Sequence, residues 1–165
     1  MTTATTTRPR RERNREATQA RILAAAEAEF AQKGYDGARL RDVAARAGVH
    51  HALLHHYFGD KVGLFRAVVQ NAFAGVSTRA LAALRSGSSI RALLETYVNM
   101  LIDFHTQNPN LVRLLHYASL DVSSPAFTAM EEVTREISAP VMEAVGRAVE
   151  AAQHAKVIRQ DIDAR

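Results

Sequence analysis

The sequence predicts an all-α protein: three helices forming an N-terminal unit, followed by a longer helical unit. Apolar residues recur at three- and four-residue intervals along almost the whole chain, the spacing of a single helix face. The stripes are interrupted by Gly34, Gly48, the run Ser86-Gly87-Ser88-Ser89 and the steps Asn108-Pro109 and Ser124-Pro125, all helix-boundary signals. Leu40 to Phe58, LRDVAARAGVHHALLHHYF, reads as two short helices joined by a tight glycine turn.

Composition narrows the functional class. The chain has 165 residues and is 47% hydrophobic, enough for a packed core, either as one compact domain or as a small domain fused to a larger one. A formal charge of +4 permits an anionic partner without proving one. Its distribution says more, because Arg8, Arg10, Arg11, Arg13, Arg15 and Arg21 crowd the N-terminus against only Glu12 and Glu16. The absence of cysteine excludes disulfides and thiolate metal sites. No apolar run approaches the roughly 20 residues needed to cross a bilayer, and there is no signal-peptide core. The expectation is a cytoplasmic protein with no membrane partner.

Met1 to Thr7 are small and polar and are expected to be disordered. Together with Arg8 to Arg15 they make a disordered basic arm over residues 1–15. Such runs are commonly solvated tails; with the glycine-turn pair downstream, an arm touching phosphate or the minor groove through Arg11 and Arg13 is favoured. A helix from about Glu16 or Thr18 to Lys33 buries Ile22, Leu23, Ala26 and Phe30, and Gly34 is its left-handed cap. In the next helix Leu40, Val43, Ala44 and Ala47 share a side, Gly48 supplies the turn and Val49 plugs it. The following helix places Leu54 and Phe58 inward and His50 and His51 outward. Ala44 is small where the two helices cross at roughly 90–120°, the geometry of a helix-turn-helix. A helix-turn-helix cannot bury its own apolar side, so the preceding helix is its third partner, giving a domain over residues 16–60.

Residues 61–165 then form the second helical unit. Asp60 is the N-cap of a helix carrying Leu64, Phe65, Val68, Val69, Ala72 and Phe73 to about Leu84 or Arg85. Lys61, in its first turn, is placed to hold a phosphate together with backbone N–H groups. Ile90 to His105 and Leu111 to Leu120 are further helices, the second started by Asn108 as cap and Pro109 at the first position. Ser124-Pro125 starts a long helix through Val149, which Pro140 is expected to bend or split.

In a helix-turn-helix the first residues of the second helix meet base edges in the major groove, so this motif points to DNA. Arg39 and Arg41 flank the start of its first helix, as phosphate contacts or plain surface charge. Thr18 is either another phosphate contact or a cap.

The stretches ILAAAEAEFAQKGYDGARLRDVAARAGV and HYFGDKVGLF resemble the N-terminal domain of TetR-family transcriptional regulators. Gly34-Tyr35, Val43-Ala44, Gly48-Val49, Tyr57-Phe58, Lys61 and Leu64-Phe65 fall at that family's spacing. The resemblance implies a homodimer on a palindromic double-stranded DNA operator, with half-sites roughly 34 Å apart or a multiple of that. It implies a repressor released by a small-molecule inducer. Carried over by position, His50, His51 and Ala52 face base edges, whereas His55, His56 and Tyr57 lie nearer the backbone. The chain departs from the family at His55, commonly tyrosine, and at Leu53, often small and polar, which alters the chemistry offered to DNA.

NPNLVRLLHYASLD and the closing VIRQDIDAR resemble the family's regulatory half. There an Arg-x-Asp-Ile-Asp run usually precedes two further helices that build the dimer interface, and this sequence stops at Arg165. The expectation is a truncated product or a chain that pairs by another surface. The expected inducer cavity is lined by Tyr97, Met100, Phe104, Leu120, Phe127 and Met130, with His105 and His116 as polar contacts or, alternatively, ordinary edge residues. His51 and His55 lie one turn apart, but no Asp, Glu or Cys within the motif completes a set, so no metal is expected. No cofactor is implied. No phosphate loop, serine elbow or HExxH is present, so an enzyme is disfavoured. The alternatives are a DNA-binding variant without inducer response and a helical protein-interaction module.

Overall fold

A computed structural model of the chain describes residues 10–85, 90–157 and 159. Expectations placed on residues 1–9, on 86–89 and on most of the closing VIRQDIDAR lie outside these. Every regular element among the described residues is an α-helix: α1 (Arg10–Gly37), α2 (Leu40–Ala47), α3 (His51–Phe58), α4 (Lys61–Arg85), α5 (Ile90–Gln107), α6 (Pro109–Ser119) and α7 (Pro125–His154).

The first correction is the start of α1. Arg10 to Arg15, read as a disordered arm, are helical, and Arg11 and Arg13 stand exposed on the first turns. Arginine and glutamate are good helix formers, and continuity with the apolar stripe downstream extends the helix through them. Thr18 is therefore inside α1 rather than at its start, and its hydroxyl donates to the Asn14 carbonyl at 2.8 Å. At the other end Gly34 breaks the helical backbone, with φ 71° and ψ 175°, before one more turn to Gly37.

The turn between α2 and α3 forms as the sequence predicts. Gly48 is left-handed, at φ 64° and ψ 41°. Its N–H donates to the Ala45 carbonyl at 3.2 Å, and that of Val49 to the Ala44 carbonyl at 3.0 Å. These two bonds satisfy the last carbonyls of α2 and aim the chain into α3.

Ile22, Ala26 and Phe30 of α1, Val43, Ala44 and Ala47 of α2 and Leu54 of α3 are buried together with Leu64, Phe65, Val68 and Val69 of α4. Phe65 sits edge-on to both Phe30 (5.5 Å between ring centroids) and Tyr35 (5.4 Å). The same core runs on without a gap through Phe104, Leu111, Leu114, Ala118, Ala126, Ala129 and Val133. A boundary at residue 60 therefore does not separate two cores, because the first half of α4 completes the N-terminal one. Beyond it α4 packs against α5 and α7, and α1 against α6.

Of the two helix starts predicted by a capping residue before proline, one forms as expected and one does not. Ser124 caps α7 by accepting from the Phe127 N–H at 3.1 Å. Asn108, expected to do the same for α6, turns back, and its Nδ2 donates to the Phe104 carbonyl at 3.0 Å, closing the end of α5 instead. Pro140 does not split α7, which is one helix of 30 residues.

Candidate nucleic-acid interface

α3 separates its residues cleanly. Leu54 is fully buried, Leu53, Tyr57 and Phe58 are half-buried, and His50, His51, Ala52, His55 and His56 are exposed. The inward residues anchor the helix on the core, which leaves the imidazoles on the free side. His50 is the N-cap: its Nδ1 accepts from the Ala52 N–H at 3.3 Å, so Nε2 carries the proton and points a donor outward. His55 is set the other way, with Nδ1 2.6 Å from the Gly59 carbonyl, an acceptor only, so Nδ1 donates and, in the neutral ring, Nε2 holds the lone pair. The rings of His51 and His55 meet edge to face, 4.8 Å apart.

Arg15, from the arginine-rich start of α1, reaches α3. The guanidinium of Arg15 stands over the Tyr57 ring at 5.6 Å from its centroid. Arg39, just ahead of α2, is exposed with extended backbone, and Arg41 is exposed with Nε 3.5 Å from Asp42 Oδ1.

Lys61 is committed elsewhere. Its Nζ donates to the Asp36 carbonyl at 3.1 Å and lies 4.6 Å from the centroid of the Tyr35 ring. Partial burial lowers its pKa, opposed by the Asp36 charge. The N-terminus of α4 is also filled from within, since Asp60 accepts from the Gly63 N–H at 2.7 Å. One donor of the Lys61 ammonium and one N–H of the expected phosphate cradle are thus used by the protein's own groups, and the lysine fastens the Tyr35–Asp36 turn to the start of α4.

Three features escaped the sequence reading. Glu29 is a carboxylate only 2% exposed, held by Lys33 and by Arg46 (Nη2 to Oε2, 3.5 Å), and Lys33 also reaches Asp42 at 3.2 Å. This cluster ties α2 to α1; its only sequence trace is the Glu29-Lys33 spacing of one turn. Gly63 is required because a Cβ there would overlap the Phe58 carbonyl oxygen where α3 hands over to α4. Arg66 of α4 pairs with Glu132 and Glu136 of α7, the latter at 3.7 Å, linking the helix after the motif to the second unit.

The expected inducer residues differ in burial. Met100 and Phe104 are buried and Phe127 and Met130 half-buried, but Tyr97 is 46% and Leu120 68% exposed, and His105 and His116 lie on the surface. The last two follow helical periodicity onto outer faces, where His105 Nδ1 bonds its own helix at the Leu101 carbonyl (2.7 Å). A half-open cavity of about 320 Å³ lies instead between the Gly34–Asp36 turn and the facing parts of α6 and α7, lined by Tyr35, Asp36, Tyr117, Asp121 and Ser124 among others.

Comparison with known proteins agrees with this architecture. The model of bacterial regulatory proteins of the tetR family matches residues 22–68, and that of the tetracyclin repressor-like C-terminal domain matches residues 91–165. The HTH-type transcriptional repressor SCO4008 of Streptomyces coelicolor is 35% identical over 109 residues, covering 66% of this chain and 53% of that one. The HTH-type transcriptional regulator RutR of Escherichia coli is 29% identical over 122 residues, covering 74% and 56%. The chain spans about half the length of the curated relatives it matches. Among solved structures, FadR of Bacillus subtilis in complex with stearoyl-CoA superposes with a TM-score of 0.75 at 14% identity, over 88% of this chain and 76% of that one.

Proposed function

We propose that this chain, which belongs to the TetR family of bacterial regulatory proteins, is a ligand-responsive transcriptional regulator. In this reading it is a repressor that occupies a palindromic operator as a homodimer in the cytoplasm and leaves it when a small-molecule inducer binds, with no catalytic role. The observation that carries the reading is the exposed imidazole face of α3, backed by buried Leu54 and flanked by Arg15 of α1. His50, His51 and Ala52 take the base edges. His55 and His56, with Arg11, Arg13, Arg39 and Arg41, take phosphate, and Tyr57 acts through Arg15. Lys61 acts at one remove, by fixing the turn behind α3.

Ligand response is supported by α4. One helix carries Leu64 and Phe65 in the core beneath α3 and Arg66 against α7, so a shift of α7 reaches the motif through a rigid element. Of the inducer contacts expected from sequence, Met100, Phe104, Phe127 and Met130 remain as candidates. That a protein of the same fold was solved with an acyl-CoA supports ligand binding as a behaviour of the fold, without naming this chain's ligand.

Selection of bound duplexes from a random pool, followed by titration of the winner at several salt concentrations, tests the proposal. An enriched sequence with inverted half-sites and an affinity falling linearly in log salt are expected. No enrichment, or affinity indifferent to salt, overturns it. An inducer found by screening is expected to weaken operator binding by the same factor by which operator weakens its own binding, and absence of that reciprocity refutes the coupling.

A further inference from the structure

We propose that His51 and His55 form an open two-imidazole site for a borderline divalent metal such as Cu2+ or Ni2+, and that metal there competes with DNA for the face of α3. Residues four apart stand one above the other on a helix, and these two ring centroids lie 4.8 Å apart on the exposed side of α3, near enough for a shared cation once the His51 ring turns from its edge-to-face position. The Nδ1–H of His55 is tied to the Gly59 carbonyl at 2.6 Å, which fixes the ring and its tautomer and leaves the Nε2 lone pair for a metal. A metal-ligating histidine ordinarily has this arrangement, its second nitrogen donating to a backbone carbonyl.

His50 does not join the pair, because its Nδ1 lone pair is used by the Ala52 N–H. Among the described residues no group of three or more His, Cys, Asp or Glu forms a metal site. A closed structural site is therefore not what these residues build. Two neutral imidazoles with water completing the coordination select copper, nickel and zinc, with Cu2+ above Ni2+, and give magnesium and calcium, which need oxygen ligands, no purchase. A hydrated cation held by both rings stands where the helix would approach a base edge, and it removes both imidazoles as contacts to DNA.

The competition half of the inference rests on the DNA reading above; the metal half does not. The test begins without DNA, by calorimetric titration of the full chain with NiCl2 and by the electron paramagnetic resonance spectrum of added Cu2+. One nitrogen-ligated site per chain is expected, weakened at least tenfold in His51→Ala and in His55→Ala and unchanged in His154→Ala. Equal binding by the wild type and both α3 variants, or no binding below millimolar metal, overturns the site. The second arm adds Ni2+ to the protein bound to its selected duplex. A loss of affinity of tenfold or more, reversed by EDTA and not produced by Mg2+, is expected. Metal binding in the first arm with no effect on DNA in the second keeps the site and overturns the assignment of α3 as the DNA face.

Discussion

The guanidinium of Arg15 lies over the ring of Tyr57, so the charged start of α1 is held against the last turn of α3. Two elements far apart in the fold's wiring are thereby given one orientation. An exposed cation–π contact contributes roughly 0.5–1 kcal/mol. A double-mutant cycle of Arg15→Gln and Tyr57→Leu, read by urea unfolding, is expected to return a coupling of about that size. Additive effects would mean that the two side chains are neighbours without interaction.

Gly63→Ala is expected to cost more than about 2 kcal/mol, because the new methyl meets a backbone carbonyl that cannot move without displacing α3. Gly37→Ala is the control, since its Cβ meets only the Lys33 side chain at 3.4 Å. Thermal unfolding of the two variants side by side checks the contrast, and equal melting temperatures would refute it.

Removing both cations from Glu29, as Lys33→Ala with Arg46→Ala, leaves a buried carboxylate uncompensated. The double variant is expected to lose about 3 kcal/mol, the low end for a broken buried pair because both cations are half-exposed and rehydrate when released. A loss below about 1 kcal/mol in urea titration would show the cluster to be surface decoration.

Acid sensitivity should have a contribution from Asp42. The hydrogen bond from Lys33 holds its carboxyl below the ordinary aspartate range, opposed by burial and assisted by the charges of Lys33, Arg41 and Arg39. A depressed carboxyl stabilises the folded state above the unfolded value and loses that contribution as pH falls through the folded one. The urea midpoint of the wild type is expected to drop between about pH 5 and about pH 2, and Asp42→Asn to flatten that drop. Superimposable profiles would count against it.

For Lys61, two roles separate by salt dependence. If its ammonium is occupied by the Asp36 carbonyl and the Tyr35 ring, Lys61→Met lowers the melting temperature and leaves the slope of log affinity against log salt unchanged. A direct phosphate contact would reduce that slope by about one on mutation.

Features decided by a few consecutive residues were legible in the sequence. Gly48 with Val49 announces its turn, and Asp60 and Ser124-Pro125 announce helix starts, because the groups they satisfy lie within one turn. The outward set of α3 was legible too, since Leu54 and Phe58 fix which side is covered. Features that depend on a distant partner were not. Asn108 is a local exception, because its side chain can serve the helix behind it or the one ahead and the residue type does not choose between them. Lys61 meets Asp36 and Glu29 meets Arg46 only after α1, α2 and α4 have packed. The exposure of Tyr97 and Leu120 likewise follows from which sides of α5 and α6 meet their neighbours, and periodicity alone does not say.

The uninterrupted packing from Ile22 to Val133 has a practical corollary for anyone exchanging modules among such proteins. A chimera joined at Asp60 would strip Leu64, Phe65, Val68 and Val69 from beneath the motif and replace them with side chains shaped for another surface. A splice placed after Val69 carries the whole floor of the reading head with it, and hybrids cut there should fold where the shorter ones precipitate.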